Sequence, residues 1–121
     1  MPRNVIDWDK LETTEAIPGF FGKVCHSDSM TFVLWDIKKG AKLPEHNHVH
    51  EQVAHVLSGE FEITVDGETR RMKAGMLGNV PSNARHSGVA ITDCQILDVF
   101  HPIREDYLNG LSATVISGTK A

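Results

Sequence analysis

The chain has 121 residues, of which 40% are hydrophobic, and its formal net charge is -4. This length and composition fit one domain with one ordinary core, and they exclude a disordered segment. Acidic and basic residues are interspersed without a basic stripe, so we expect no nucleic-acid partner. No segment approaches the roughly 18 apolar residues of a membrane span, and the N-terminal residues lack the apolar run of a secretory signal. We therefore expect a cytoplasmic protein with no membrane partner.

The predicted elements in the first half of the chain are mostly strands. Residues 8–15 form a weak helical candidate, but nearly every segment after residue 18 has strand character. Residues 30–37 are rich in β-branched and aromatic side chains, which favours a strand. Residues 53–65 predict two short strands that meet at Ser58-Gly59.

A hairpin is predicted at the centre of the chain, and strands are predicted after it. Polar and apolar residues alternate strictly over residues 60–65, and Asp66-Gly67 follows as a strong signal for a tight turn. Residues 69–72 return as the partner strand, and residues 89–100 predict one or two more strands. Residues 104–108 are the second weak helical candidate. Turn signals recur about every 8–12 residues, which is typical of a sandwich or barrel. We therefore predict an all-β fold of the jelly-roll kind.

A histidine cluster is the first candidate for chemistry, because His46, His48 and His50 fall within five residues. Residues two apart on a strand share a face, so His46 and His48 project in the same direction. Two neighbouring imidazoles are half of a typical first-row metal site. Gln52 could add an amide oxygen, and His86 could close the site from another strand. The alternative, which an isolated HxH pattern would favour, is a set of solvated loop histidines.

The other histidines carry weaker signals. His50 is expected in the turn before Gln52, where it would face solvent or lie behind the ligands. His55 has the opposite strand parity to Gln52, so it should face away from the metal. His26 belongs to no motif, and we expect it to have a plain surface or core role.

The spacing of glycine, proline and histidine around the cluster resembles two known motifs. Residues 40–59 follow G-x5-H-x-H-x3-Q-x6-G, which is similar to the first motif of the cupin superfamily. Residues 75–90 contain G-x5-P-x-N-x2-H, which resembles the second motif. The resemblance implies that residues 1–121 form one cupin domain, a jelly-roll β-barrel. It also implies one divalent transition metal (Ni, Zn, Mn or Fe) on His46, His48, Gln52 and His86.

Two positions depart from the usual cupin motifs. Gln52 stands where Glu is common, and Glu51 beside it is an alternative ligand, although strand alternation lets only one of the two face the cavity. A neutral amide ligand leaves the full +2 charge on the ion, which makes it a better Lewis acid and a better anchor for an anionic ligand. Asn83 replaces the usual Gly, and asparagine tolerates the left-handed turn expected there.

The segment that ends the last predicted strand carries a second group of candidates. Asp98, Phe100 and Ile96 share one strand face, so Asp98 would be a carboxylate in an apolar wall if that face is interior. A buried carboxylate without a partner is costly, and it can serve proton transfer when burial and a metal balance its pKa. The alternative is that Asp98 faces solvent or forms a structural ion pair with Arg104.

This segment makes the resemblance more specific. HxHxHEQ, VLSGEFEITVDGE and DxFxPxRED together resemble the KdgF type of small pectin-degradation cupins, over about residues 17–108. Members of that type open the ring of 4,5-unsaturated monouronates, which lyases and glycuronyl hydrolases release from pectin or alginate. The resemblance implies that Asp98 acts in proton transfer, that Arg104 and the metal bind the substrate carboxylate, and that Phe100 packs on the sugar ring. His101 stands where a small serine is more usual.

Two other functions remain open at this point. A three-histidine site with a weak fourth ligand also suits a metal-dependent dioxygenase of the quercetinase or diketone-cleaving kind. A cupin that binds a sugar or metal without catalysis is the third possibility. The resemblance further implies a homodimer, and the apolar residues Leu97 and Val99, which have outward strand parity, would need to be covered.

Overall fold

The computed structural model describes residues 4–107 and the backbone of residues 113–115. Within these residues the regular structure consists of one short 3-10 turn, Trp8–Lys10, one helical residue, Tyr107, and strands. In chain order these are β1 (Thr14–Ile17), β2 (Phe20–His26), β3 (Thr31–Ile37), β4 (Lys42–His46), β5 (Glu51–Ser58), β6 (Glu60–Val65), β7 (Glu68–Lys73), β8 (Leu77–Val80), β9 (His86–Ala90), β10 (Cys94–His101) and β11 (Ala113–Val115).

The strands form two sheets that share one hydrophobic core. The larger sheet has the order β1-β2-β3-β10-β5-β8, and β11 also pairs with β2, in parallel. The smaller sheet has the order β4-β9-β6-β7. All the other strand pairs are antiparallel. Strands that are distant in sequence are neighbours in both sheets, as in a jelly roll. The prediction of an all-β jelly-roll fold is therefore confirmed.

The turn residues behave as their chemistry predicts. Asp66 and Gly67 both have positive φ, 48° and 82°, and they join β6 to β7 in the predicted two-residue hairpin. Asn83 also has positive φ, 65°, so asparagine does supply the left-handed conformation before β9.

The helix predicted over residues 8–15 is wrong. Only the turn Trp8–Lys10 is helical, and Asp7 caps it by accepting a hydrogen bond from the backbone N–H of Asp9 at 2.9 Å. The chain then enters β1, which pairs with β2. Sheet pairing therefore overrides a weak local helical preference. In the second helical candidate, residues 104–108, residues 105–106 form a turn and Tyr107 is helical, while residue 108 lies outside the described residues.

The side chains of strand β10 alternate between the core and the outer face of the larger sheet. Its alternate residues Cys94, Ile96, Asp98 and Phe100 are buried, so Asp98 lies on the interior side. Leu97 and Val99 are half-buried on the outer face. The homodimer that this face was expected to support stays a prediction, which a molar-mass measurement in solution tests. Among the described residues, no helix is both long and apolar enough to cross a membrane.

Gly22 on β2 makes room for the indole ring of Trp35 on β3, and that indole contacts Asp98. Gly22 and Trp35 are register partners in β2 and β3. A Cβ atom at Gly22 would lie 2.6 Å from Cζ3 of Trp35, which is closer than real Cβ contacts. Trp35 is buried in the hydrophobic core, so its ring cannot move away without disturbing that core.

We expect Gly22→Ala to lower the free energy of unfolding by about 1–3 kcal/mol, because the methyl group overpacks this site. Gly78→Ala is the matched control, since a Cβ there meets Sδ of Met72 at 2.8 Å, near the end of a flexible side chain. Urea denaturation of both variants checks the prediction. Equal stability of the two variants would contradict it.

Candidate metal centre and acidic pocket

Three histidines converge where β4 ends and β9 begins. His46 and His86 are register partners in the smaller sheet, and His48 lies in the loop that follows β4. One ring nitrogen from each of the three lies within 4.8 Å of the others. The ring centroids of His46 and His86 are 4.2 Å apart, and those of His48 and His86 are 4.8 Å apart. Three imidazoles at this separation can share one ion.

Main-chain carbonyl groups orient all three rings. Nδ1 of His46 lies 2.8 Å from the carbonyl oxygen of Pro44, and Nδ1 of His48 lies 3.0 Å from that of His50. Nδ1 of His86 lies 2.9 Å from the carbonyl oxygen of Ala84. A carbonyl oxygen only accepts, so each Nδ1 carries the proton and each neutral ring keeps its Nε2 lone pair free. Nε2 of His86 is buried without a hydrogen-bond partner among the described residues.

Gln52 adds an oxygen to this set. Its side chain is buried, and its Oε1 lies 3.2 Å from Nε2 of His48. In the neutral tautomer assigned above both atoms are acceptors, so they cannot hydrogen-bond to each other. Ligands that each lie about 2.1 Å from a common ion are roughly 3–3.4 Å apart. The spacing of His48 and Gln52 is therefore compatible with one shared ion, and the exposed Glu51 faces away from it.

Burial keeps the imidazoles of His48 and His86 neutral. It lowers the pKa of His48 to about 4, and the positive charge of Arg104 acts in the same direction. Burial also lowers the pKa of His86. Neutral imidazole is the form that binds a metal, so at pH 7 these two ligands need not lose a proton first.

Asp98 lies in the apolar wall next to this centre. The indole Nε1–H of Trp35 donates to its Oδ2 at 3.0 Å, while its Oδ1 is buried with no hydrogen-bond partner within residues 4–107. Burial raises the pKa of Asp98 to about 6, against the lowering effects of the Gln52 amide, the Trp35 indole and the charge of Arg104. A carboxyl group with this pKa can both accept and donate a proton near neutral pH.

One small cavity connects the acid to the proposed ligands. It has a volume of about 40 Å³. The side chains that line it include two of the four proposed metal ligands and all three residues expected from the sequence to be catalytic: Trp35, Leu43, His46, Gln52, Asp98, Phe100, Arg104 and Tyr107. The structure therefore brings the two groups of candidates together.

Arg104 is held by aromatic rings and by an acid other than Asp98. Its guanidinium carbon lies 4.6 Å from the ring centre of Phe100 and 4.0 Å from that of Tyr107. Its Nε and Nη2 donate to the two carboxylate oxygens of Asp106 at 2.9 and 2.6 Å. The ion pair that was considered between Asp98 and Arg104 is therefore replaced by a pair with Asp106.

Comparisons with known proteins agree with this geometry. The family model described as a cupin domain matches residues 33–100. The pectin degradation protein KdgF of Dickeya dadantii (strain 3937) is 36% identical over 84 residues, which are 68% of this chain and 76% of that protein. The chain is a cupin related to KdgF.

Solved structures extend the match. The structure of KdgF from Halomonas sp. superposes with a TM-score of 0.77 at 30% identity, covering 81% of this cupin and 92% of that chain. An RmlC-like cupin from Shewanella frigidimarina NCIMB 400 gives 0.80 at 30% identity, covering 84% and 93%. The matched family region of this cupin ends at residue 100, so it contains the four proposed ligands and Asp98 but not Arg104.

Several residues of the site in this cupin were not predicted from the sequence. The proposed catalytic residues are in contact with Trp35, Asp106 and Tyr107. His26 reaches Arg104 only through Thr31, which contacts both. His26 is fully buried, and its Nδ1 lies 2.7 Å from Oγ1 of Thr31. The alternation of β3 placed Trp35 on an inward face, but nothing local indicated that it meets an acid.

Two further histidines, His50 and His55, lie outside the proposed ligand set. His50 is half-buried with its ring centre 5.4 Å from that of His48, so it lies behind the ligands, one of the two places expected for it. His55 is half-buried and pairs with Leu97 on the outer face of the larger sheet. It faces away from the metal centre, as its parity predicted.

We expect the metal-free cupin to lose stability on acidification. Burial lowers the pKa of His26, His48 and His86 in the folded state. As the pH falls through about 6.5, the unfolded chain therefore binds protons that the folded chain resists, and the free energy of unfolding falls. Asp98 acts in the opposite direction between pH 6 and 3.8, but it is one group against three.

Urea denaturation in the presence of a chelator, at pH 7.5, 6.5 and 5.5, measures this effect. Asp98→Asn should make the decline steeper, because it removes the one opposing group. A free energy of unfolding that stays constant or rises toward pH 5.5 in the wild type would show that the buried imidazoles do not control it.

Proposed function

We propose that this cupin opens the ring of 4,5-unsaturated monouronates derived from pectin or alginate, with one divalent transition metal held by His46, His48, Gln52 and His86. The observation that carries the proposal is the buried Asp98, whose pKa burial raises to about 6, on the same small cavity as two of the proposed ligands. The relationship to KdgF, a pectin degradation protein, supports the choice of substrate.

The ligand set suits an anionic substrate. Three neutral imidazoles and a neutral amide leave the +2 charge of the ion uncompensated. When bound, the ion supplies Lewis acidity to the carboxylate and ring oxygen of the substrate. Arg104 lines the same cavity, and its guanidinium binds the substrate carboxylate. Phe100 packs against the sugar ring.

The reaction is an isomerisation that needs no oxidant and no water. Asp98 accepts the proton of the hydroxyl group on C1, so the C1–OH becomes an aldehyde as the bond from C1 to the ring oxygen breaks. The electron pair of that bond passes to the ring oxygen, which is attached to the C4=C5 double bond and becomes an enolate. Asp98 then returns its proton to C4, and C5 becomes a ketone. One carboxyl group with a pKa near neutrality serves both transfers.

The direct test is an assay with 4,5-unsaturated galacturonate. Metal-loaded protein should consume the C4=C5 chromophore faster than buffer, and NMR should show an open-chain product of the same composition. Chelation should abolish the difference. Consumption no faster than in buffer, by the metal-loaded wild type, would reject the proposal.

The same samples separate the two other candidate functions. Oxygen uptake with a flavonol or a β-diketone would favour a dioxygenase of the quercetinase or diketone-cleaving type. Binding of the uronate without turnover would favour a binding module. A cytoplasmic homodimer belongs to the proposal as well, and light scattering should then give twice the molar mass of the chain.

A further inference from the structure

The ion pair between Arg104 and Asp106 joins a buried side chain to an exposed one. The side chain of Arg104 is 9% exposed, whereas that of Asp106 is 57% exposed. Asp106 takes Nε and one hydrogen of Nη2, so it covers one edge of the guanidinium from the solvent side. Asp106 is absent from the lining of the small cavity that Arg104 and Asp98 share.

Within residues 4–107, Asp106 is the only carboxylate that pairs with the guanidinium. An arginine has five N–H donors, and a bidentate carboxylate uses two of them. Of the remaining three, two belong to Nη1 and one is the second N–H of Nη2. This second edge, formed by Nη1 and Nη2, can bind another carboxylate through two hydrogen bonds. Because the guanidinium is planar, holding the first edge in place also fixes the second.

Two aromatic rings and a backbone hydrogen bond restrict the position of the Arg104 side chain. Tyr107 and Phe100 lie close to the guanidinium, with ring centres 4.0 and 4.6 Å from its carbon. The backbone N–H of Arg104 donates to Oγ1 of the buried Thr31 at 2.8 Å, and Thr31 also contacts His26. With the main chain anchored and the rings close by, the ion pair with Asp106 sets the rotation of the guanidinium.

We propose that Asp106 is a positioning residue, which holds the outer edge of Arg104 so that its inner edge binds the substrate carboxylate. This inference rests on the proposed function. The Arg104 hydrogen bonds lower the pKa of Asp106, so its carboxylate is charged at neutral pH. Asp106 is exposed, and an asparagine in its place keeps one acceptor oxygen for Arg104, so Asp106→Asn should not unfold the protein.

The test compares Asp106→Asn with Asp106→Glu and with Glu105→Gln. The asparagine has nearly the same shape but loses the charge and one of the two acceptor oxygens. The glutamate keeps the charge and a bidentate acceptor. Glu105→Gln removes the same charge from the adjacent exposed residue and controls for the overall field.

A positioning role makes a specific kinetic prediction. Arg104 binds the carboxylate equally in the ground state and the transition state, so Asp106→Asn should raise KM for unsaturated galacturonate by about 10-fold with kcat within about 2-fold. Asp106→Glu should restore most of the affinity, and Glu105→Gln should behave like the wild type. An unchanged KM in Asp106→Asn would overturn the inference. A lower KM would also overturn it, because Asp106 would then compete with the substrate for Arg104.

A binding measurement separates this inference from the proposed function. Saturated galacturonate, titrated into the metal-loaded protein by calorimetry, reports carboxylate binding without turnover. If the wild type is catalytically inactive but binds galacturonate about 10-fold more tightly than Asp106→Asn, the ring-opening function fails and the positioning role stands. If the wild type turns over substrate and both proteins bind galacturonate equally, the positioning role fails and the function stands.

Discussion

Replacing His86 by alanine is expected to abolish tight binding of a divalent metal, with a loss of affinity of at least about 100-fold. His86 is 1% exposed, and its Nε2 has no hydrogen-bond partner among the described residues. Its ring is the closest to that of His46. Without it, the remaining set is two imidazoles and an amide oxygen, which is a weak site for a transition metal.

Metal content and thermal stability measure the effect separately. Purified wild type, loaded with Ni²⁺ or Zn²⁺ and desalted, should retain one ion per chain. At a metal concentration 100 times its Kd, the wild type should gain about 2.7 kcal/mol of stability. His86→Ala should retain no ion, and its melting temperature should not respond to metal.

His55→Ala is the matched control, because it removes another half-buried histidine from the outer face of the larger sheet. It should bind metal like the wild type. If His86→Ala and His55→Ala retained the same amount of metal, the ion would bind elsewhere and the proposed centre would be wrong.

The second large effect is expected from Asp98→Asn, which should lower kcat for unsaturated galacturonate by about 10²–10⁴-fold. The substitution keeps the shape and an oxygen that accepts from the Trp35 indole. It removes the group that accepts and returns the proton. KM should change little, because binding of the substrate carboxylate is assigned to Arg104 and the metal.

Stability should change in the opposite direction from activity. Burial raises the pKa of Asp98 to about 6, so above that pH the folded protein holds a charge that the low dielectric disfavours. The neutral asparagine avoids this cost. At pH 8 the metal-free variant should therefore be at least as stable as the wild type while being far less active.

Asp36→Asn is the control for this substitution, since Asp36 is exposed on the outer side of β3, where it accepts a hydrogen bond from Nε2 of Gln95 at 3.3 Å. It should leave kcat unchanged. If Asp98→Asn kept more than about a tenth of the wild-type kcat, Asp98 would not carry the proton transfer.

Features that depend on neighbours in the sequence were predicted well. The alternation over residues 60–65 and the Asp66-Gly67 turn gave the hairpin, because strand parity and turn conformation are local properties. The same parity required that only one of Glu51 and Gln52 face the interior, and Gln52 is the buried one. The roles of the predicted ligands and catalytic residues stay predictions for the experiments above to test.

Features that depend on sheet order could not be predicted in this way. Trp35 lies 63 residues before Asp98, and the two meet only because β3 and β10 are neighbours in the larger sheet. No local pattern encodes that adjacency. Asp106 was missed for a different reason: it lies two residues from its partner in an irregular turn, where neither the strand nor the helix period applies.

The bonds from the three Nδ1 atoms to main-chain carbonyls have a consequence for how freely this centre can be altered. The oxygens that orient the rings belong to Pro44, His50 and Ala84, but any amino acid at those positions would provide the same oxygen. Ligand orientation is therefore encoded in the path of the chain and not in the identity of supporting side chains. Sequence drift or engineering around the centre can proceed without disturbing the three imidazoles, provided that the backbone keeps its course.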